Sequence, residues 1–174
     1  MIVALAATDG NAAAMNLAQD LADLRTVAGN KVLLVSRQCT PCRADARKRY
    51  DDVVIDVSGA LHGDDAALAL AAAGVIVVLV DPAELGAQRL SALLTRIKQA
   101  QRTNPGAAVL VTVAHGRQAL SAYQAGCILV FVAQIPSARL SDTLVLDETG
   151  GYRHAHGAPD EVRGLYRQVF EADA

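Results

Sequence analysis

The chain has 174 residues, 52% of them hydrophobic, with a formal net charge of -2. That length and apolar content predict one domain over residues 1–174 with an ample core, and the near balance of charge excludes the global positive field of many nucleic-acid-binding proteins. The apolar runs fall far short of the roughly 20 residues of a membrane-crossing helix, and no basic flank of a signal peptide precedes the first of them, which predicts a soluble, cytoplasmic protein with no membrane partner.

Taken in chain order, short β-branched apolar runs alternate with helical stretches. Residues 2–6 (I-V-A-L-A) read as a first strand. Residues 12–27 read as a helix, because Ala14, Leu17, Leu21 and Leu24 share one face. Strands follow at 31–35 and 52–57, a helix at 64–73, and a strand at 75–80 (V-I-V-V-L-V). Next come a helix at 85–101, a strand at 108–113, a helix at 118–125, a strand at 128–133 and a closing helix at 159–171. Gly29-Asn30, Asn104-Pro105-Gly106 and Gly150-Gly151 are turn punctuation.

Strands apolar on both faces demand helices above and below. The predicted fold is therefore an α/β/α three-layer sandwich with a mostly parallel sheet. In such sheets ligands bind beyond the carboxyl ends of the strands. Those ends are 7–11, 36–42, 58–63, 81–85 and 114–116.

The ordered series M-I-V-A-L-A, K-V-L-L-V, Y-D-D-V-V-I-D and V-I-V-V-L-V-D-P-A-E-L resembles the ParA/MinD family of deviant Walker ATPases. The resemblance covers essentially the whole chain; from Cys127 through E-V-R-G-L-Y-R-Q-V-F it matches the family's last strand, loop and helix. It implies a P-loop NTPase-like fold, dimers that meet across the phosphate loops with nucleotide between them, and non-specific DNA contact through surface Lys and Arg.

The family's phosphate loop, K-G-G-x-G-K-T-T, falls without a gap on D-G-N-A-A-A-M-N, residues 9–16. Only Gly10 matches. Asp9 stands where the family has the lysine that acts across the dimer, and Asn11 where it has the second glycine. Ala14 replaces the lysine that reaches the β- and γ-phosphates, and Met15 the hydroxyl residue that holds magnesium. An aspartate about 4 Å from a phosphate oxygen would repel it by roughly 4 kcal/mol at an effective dielectric of about 20.

Losses continue at the second strand, where the family's L-L-V-D-A-D reads L-L-V-S-R-Q and the aspartate is Ser36. Asp56, in V-V-I-D-V-S-G, matches the family's Walker B acid. Its simpler reading is a carboxylate that ends a strand and bonds to backbone amides of the next turn. The loop itself needs no ligand. Asp9-Gly10-Asn11 is a competent turn, Asn11 a plausible N-cap, and the alanines after it strong helix formers. The exposed amides at that helix start remain suited to an anion.

Three further groups of residues carry chemistry by type. Cys39-Thr-Pro-Cys42 is a C-x-x-C pair after a strand, suited to thiol redox or half of a zinc site, with His154 and His156 as conceivable further ligands. Two small loop residues is the plainer reading, and three cysteines in all make no disulfide framework. Cys127 is expected to open an apolar strand as a core residue. His62 and His115 fall on loops, with no nucleophile motif beside them. Arg43, Arg47, Lys48 and Arg49, with Arg163 and Arg167 on the last helix, are candidate DNA contacts or a solvated face.

The expected function is that of a non-catalytic ParA-like protein, a pseudo-ATPase with no catalytic residue, metal or cofactor. It would act by homodimerisation, by pairing with a ParA-type ATPase or through other protein partners. The settings the resemblance implies are DNA partition, conjugative transfer or positioning of a cellular assembly. Small side chains at Ala12, Ala13 and Ala14 would let two loop faces approach without nucleotide. The alternatives are a degenerate ATP-binding partition ATPase, with a lysine supplied by another chain, and a thiol-redox or zinc protein using Cys39 and Cys42.

Overall fold

The computed structural model describes residues 1–8, 12–36, 49–59, 63–82, 87–116, 119–141, 143–146 and 159–171. The elements run β1 (Ile2–Ala7), α1 (Ala12–Val27), β2 (Val32–Val35), β3 (Asp52–Asp56), α2 (Asp64–Ala72) and β4 (Val75–Val80). They continue with α3 (Ala87–Thr103), β5 (Ala108–His115), α4 (Ala122–Ala133), β6 (Ala138–Leu140), β7 (Leu144–Val145) and α5 (Asp160–Phe170). The strand order is β2-β3-β1-β4-β5-β6, with β7 also on β5, and every pairing is parallel.

The pleat divides the sheet's side chains between two cores. Val3, Leu5 and Ala7 of β1 and Val75, Val77 and Leu79 of β4 join α1 and α5 in one; Ala4, Ala6, Ile76, Val78 and Val80 join α2, α3 and α4 in the other. Right-handed crossovers require this arrangement. The chain moves one way across the sheet from β1 to β2 and the other way from β3 onward, so α1 lies on one side and α2, α3 and α4 on the other. β4, central and enclosed on both faces, is buried along its whole length, which is why it reads as an unbroken apolar run.

Helix termini follow local chemistry. Past α1, Gly29 adopts a φ of 91°, where its N–H donates to the Thr26 carbonyl and that of Asn30 to the Arg25 carbonyl. That pair of bonds is the Schellman closure, whose left-handed residue favours glycine.

The segment 128–133, expected as a strand, is the second half of α4, and the helix expected at 118–125 begins at Ala122. Cys127 accordingly sits half-buried on a helix rather than opening a strand. The run I-L-V-F-V-A carries β-branched residues in sequence, but helix periodicity puts only Ile128 and Phe131 inside, with Ile135 beyond the helix end. A local signal for the helix was present: Ser121-Ala122-Tyr123-Gln124 is a capping box. The Ser121 hydroxyl accepts from the Gln124 N–H at 3.2 Å, and the Ser121 N–H donates to Gln124 Oε1 at 3.0 Å. Ser121→Ala should destabilise the protein by about 1 kcal/mol, read from urea unfolding midpoints at constant m-value; no shift would show that the cap carries no stability.

The edge strands β6 and β7, which lie beside successive parts of β5, had no counterpart in the sequence reading. Three and two residues are too short for alternation to register. Among the described residues, no helix is long and apolar enough to cross a membrane.

Candidate functional site

The carboxyl ends of β1, β3, β4 and β5 form the edge where a parallel sheet of this kind receives ligands. β1 lies between β3 and β4, so the turn into α1 rises from the middle of that edge. Of the five phosphate-loop positions singled out, Asp9, Gly10 and Asn11 lie outside the described residues, as does the side chain of the neighbouring Ala12.

Ala14 and Met15 are described, and they separate. Ala14 is 0% exposed and packs with Ala13, Leu17, Ala18 and Leu21 against the sheet, while Met15 is 54% exposed. The two positions thus present a methyl group in the core and a thioether in solvent. Neither side chain can supply charge or hard oxygen to a phosphate. Of Ala12, Ala13 and Ala14, whose small side chains were expected to let two loop faces approach, Ala13 and Ala14 are buried in the core of their own chain, and the side chain of Ala12 lies outside the described residues.

Asp56 ends β3 at the register of Leu5 in β1. Its Oδ1 accepts from the Ser58 N–H at 2.9 Å, and the Val57 N–H donates to the Leu5 carbonyl at 2.9 Å. This is the strand-closing arrangement anticipated for the acid: the carboxylate satisfies the first free amide of its own turn. Ser58 and Thr8, which follow the ends of β3 and β1, are both buried.

His115 proves to be the last residue of β5 rather than a loop residue, with Nδ1 at 2.6 Å from the Gly116 carbonyl. That contact places the proton on Nδ1, since a carbonyl only accepts. Cys39, Cys42, Arg43, Arg47, Lys48, His62, His154 and His156 lie outside the described residues. Arg49 is exposed just ahead of β3, and Arg163 and Arg167 share an exposed face of α5, a helix that also carries Asp160 and Glu161. Among the described residues, no three His, Cys, Asp or Glu side chains gather as a metal site would need.

Among the described residues, a cluster of ion pairs lies at the opposite edge and was not anticipated. Asp52, 3% exposed, receives the Met1 amino group at 2.9 Å and Arg25 Nε at 2.7 Å. The Arg25 guanidinium also lies 5.0 Å from the centroid of the Phe170 ring, within cation–π range. One carboxylate so ties β1, β3, α1 and α5 together. Burial pushes the Asp52 carboxyl up, but hydrogen bonds and charge from Arg25 and the amino terminus outweigh it and hold the group below the usual carboxylate range.

No protein-family model and no curated protein sequence matches the chain. Solved structures do. Apo McdA from Cyanthece superposes with a TM-score of 0.61 at 13% identity, over 84% of this chain and 86% of that one. Cobyrinic acid a,c-diamide synthase from Mycobacterium smegmatis, with a bound ATP analog and magnesium, gives 0.61 at 15% over 96% and 91%. The cell division protein MinD from Aquifex aeolicus gives 0.60 at 10% over 98% and 96%. The fold of this chain is the one these solved structures share, a mostly parallel α/β fold like that of MinD.

Proposed function

We propose that this chain is a pseudo-ATPase, a ParA-like scaffold without nucleotide chemistry that works by associating with protein partners. One observation carries the reading: the start of α1 offers a buried methyl at Ala14 and an exposed thioether at Met15, where the resemblance calls for a lysine and a hydroxyl. Asp9 adds a negative charge in place of a second lysine. Asp56, committed to its own turn, is one acid against three losses.

The partnerships proposed are a homodimer, a heterodimer with a ParA-type ATPase, and contact with protein cargo. The setting is cytoplasmic, in DNA partition, conjugative transfer or the positioning of a cellular assembly. Non-specific DNA contact through Arg43, Arg47, Lys48, Arg49, Arg163 and Arg167 belongs to the same reading, and it would weaken steeply with added salt.

Calorimetry with ATP and ADP, each with magnesium, should give no heat of specific binding at micromolar protein, and light scattering should return the same mass with and without nucleotide. Magnesium-dependent micromolar binding would defeat the proposal and favour the degenerate ATPase instead.

A further inference from the structure

Charge is divided unevenly along the chain. Residues 85–141 contain six Arg and Lys and no Asp or Glu, in a chain of net charge -2, so the remaining residues carry -8. The acid-free stretch folds as α3, β5, α4 and β6, on one side of the sheet. Every charged residue of α3 is a cation: Arg89, Arg96, Lys98 and Arg102. Among the described residues, Arg96, Lys98 and Arg102 join no ion pair. Lys98 and Arg102 stand one turn apart on the same side of the helix, the first half-buried and the second exposed. Gln101, between them in sequence, donates from Nε2 to the Pro136 carbonyl at 2.8 Å, and Pro136 follows the end of α4. The two cations therefore rise along the side of α3 that faces α4.

Helix α4 supplies an apolar border to those cations and has no charged residue of its own. Ile128 and Phe131 enter the core, whereas Leu129 and Val130 are 60% and 61% exposed. α3 leads from β4 to β5 and α4 from β5 to β6, and these strands are parallel, so the two helices run the same way. Leu129 and Val130 thus stand at the same end of the layer as Lys98 and Arg102. A Cβ added at Gly126 would meet nothing within 4 Å, which leaves room for another helix to approach closely. On the other flank of α3, Asp64 and Asp65 lie in the first turn of α2, at the opposite end of the layer.

We infer that the outer side of α3 and α4 docks an amphipathic acidic helix of a partner protein, with carboxylates on Lys98 and Arg102 and apolar residues on Leu129 and Val130. The inference rests on the reading of the chain as one that works through protein partners, and it names the chemistry of one partner and where it binds. Charge selects the sign of the partner: cations with no carboxylate on their own helix or the next repel a basic segment and attract an acidic one. Apolar content then separates an acidic protein segment from other polyanions. A nucleic-acid backbone is held by charge and hydrogen bonds to its phosphates and makes no use of two bare aliphatics. An anionic lipid surface is held by clusters of about four to eight cations, more than this face presents. A helix laid along a groove uses both the apolar centre and the charged border.

The probe is a synthetic helical peptide of leucine, alanine and glutamate, apolar on one face and acidic on the other, with a control in which lysine replaces every glutamate. Amide NMR signals of the full chain, without nucleotide, should shift at Lys98, Arg102, Leu129 and Val130 as the acidic peptide is added up to about 1 mM, and stay in place with the control. Lys98→Gln with Arg102→Gln should weaken binding by about tenfold while the unfolding midpoint moves no more than surface substitutions ordinarily do. Leu129→Ser with Val130→Ser should weaken it comparably. Arg163→Gln with Arg167→Gln, which removes cations from α5 on the other face of the sheet, should leave it unchanged.

Absent shifts, shifts centred elsewhere, or an affinity that survives the Lys98 and Arg102 substitutions overturn the inference. A DNA duplex or anionic phospholipid vesicles that displace the acidic peptide from these residues at a lower concentration than the peptide itself requires overturn it equally. So do shifts at these residues that follow protein concentration alone, as docking of a second copy would produce. In each of those cases a null calorimetric titration with magnesium-ATP leaves the pseudo-ATPase reading standing, whereas magnesium-dependent ATP binding defeats that reading whatever the peptide does.

Discussion

Asp52→Asn is expected to lower the stability of the protein by about 3 kcal/mol at neutral pH, the order seen when one partner of a buried ion pair is removed. The wild-type carboxylate is almost wholly enclosed and holds two cations at 2.9 and 2.7 Å. The amide that replaces it leaves both without a counter-charge. Arg25 and the amino terminus are partly exposed and can recover some hydration, which keeps the loss near the lower end of the known range.

The pH dependence has a definite sign. Asp52 titrates below the ordinary carboxylate range in the folded protein, so between the folded value and the unfolded value of about 3.9 the unfolded chain binds more protons and stability rises with pH. Its contribution is complete above the unfolded value and disappears as pH falls through the folded one. Urea unfolding at a series of pH values should therefore show wild type and Asp52→Asn far apart at pH 7 and converging in acid. A gap that stays constant down to acid pH would show that the carboxylate's charge is not what stabilises this edge.

The second large effect concerns the loop that resembles a phosphate cradle. Ala14→Lys, which restores the family's lysine by type, is expected to cost about 3 kcal/mol or more, because it inserts an ammonium at a position packed against Leu17, Ala18 and the sheet. It should not confer magnesium-dependent ATP binding, since Asp9 and Met15 remain. Met15→Lys, on the exposed side of the same turn, should change stability by no more than about 0.5 kcal/mol. Unfolding midpoints and calorimetry on the two variants check this. An Ala14→Lys protein of native stability that binds ATP would mean that the helix start still behaves as a working phosphate loop.

How much of this was legible in the sequence varied with how local the cause was. The bounds of α1 and β4 coincide with those read from periodicity, since each has one dominant pattern: a helical apolar stripe in α1 and an unbroken apolar run in β4. α4 was misread because six apolar residues in a row satisfy a buried strand and a helix equally, and only the capping box at Ser121 distinguished them. That residues 9, 14 and 15 are neither lysine nor hydroxyl residues was plain from residue identity. That Ala14 points inward and Met15 outward was not, because both follow the same turn and the phase of the helix against the sheet decides between them. The Asp52 cluster had no signature, its partners being 51 and 27 positions away.

Residue order alone was enough to set the layered α/β plan and to show that residues 9–16 carry no cation, because strand burial and side-chain charge are written position by position. Packing decided the rest: which methyl groups of α1 enter the core, how one carboxylate joins four elements, and which side of an uncharged helix stays bare. Each of those depends on which surfaces meet when distant segments are brought together, and no local pattern encodes that meeting.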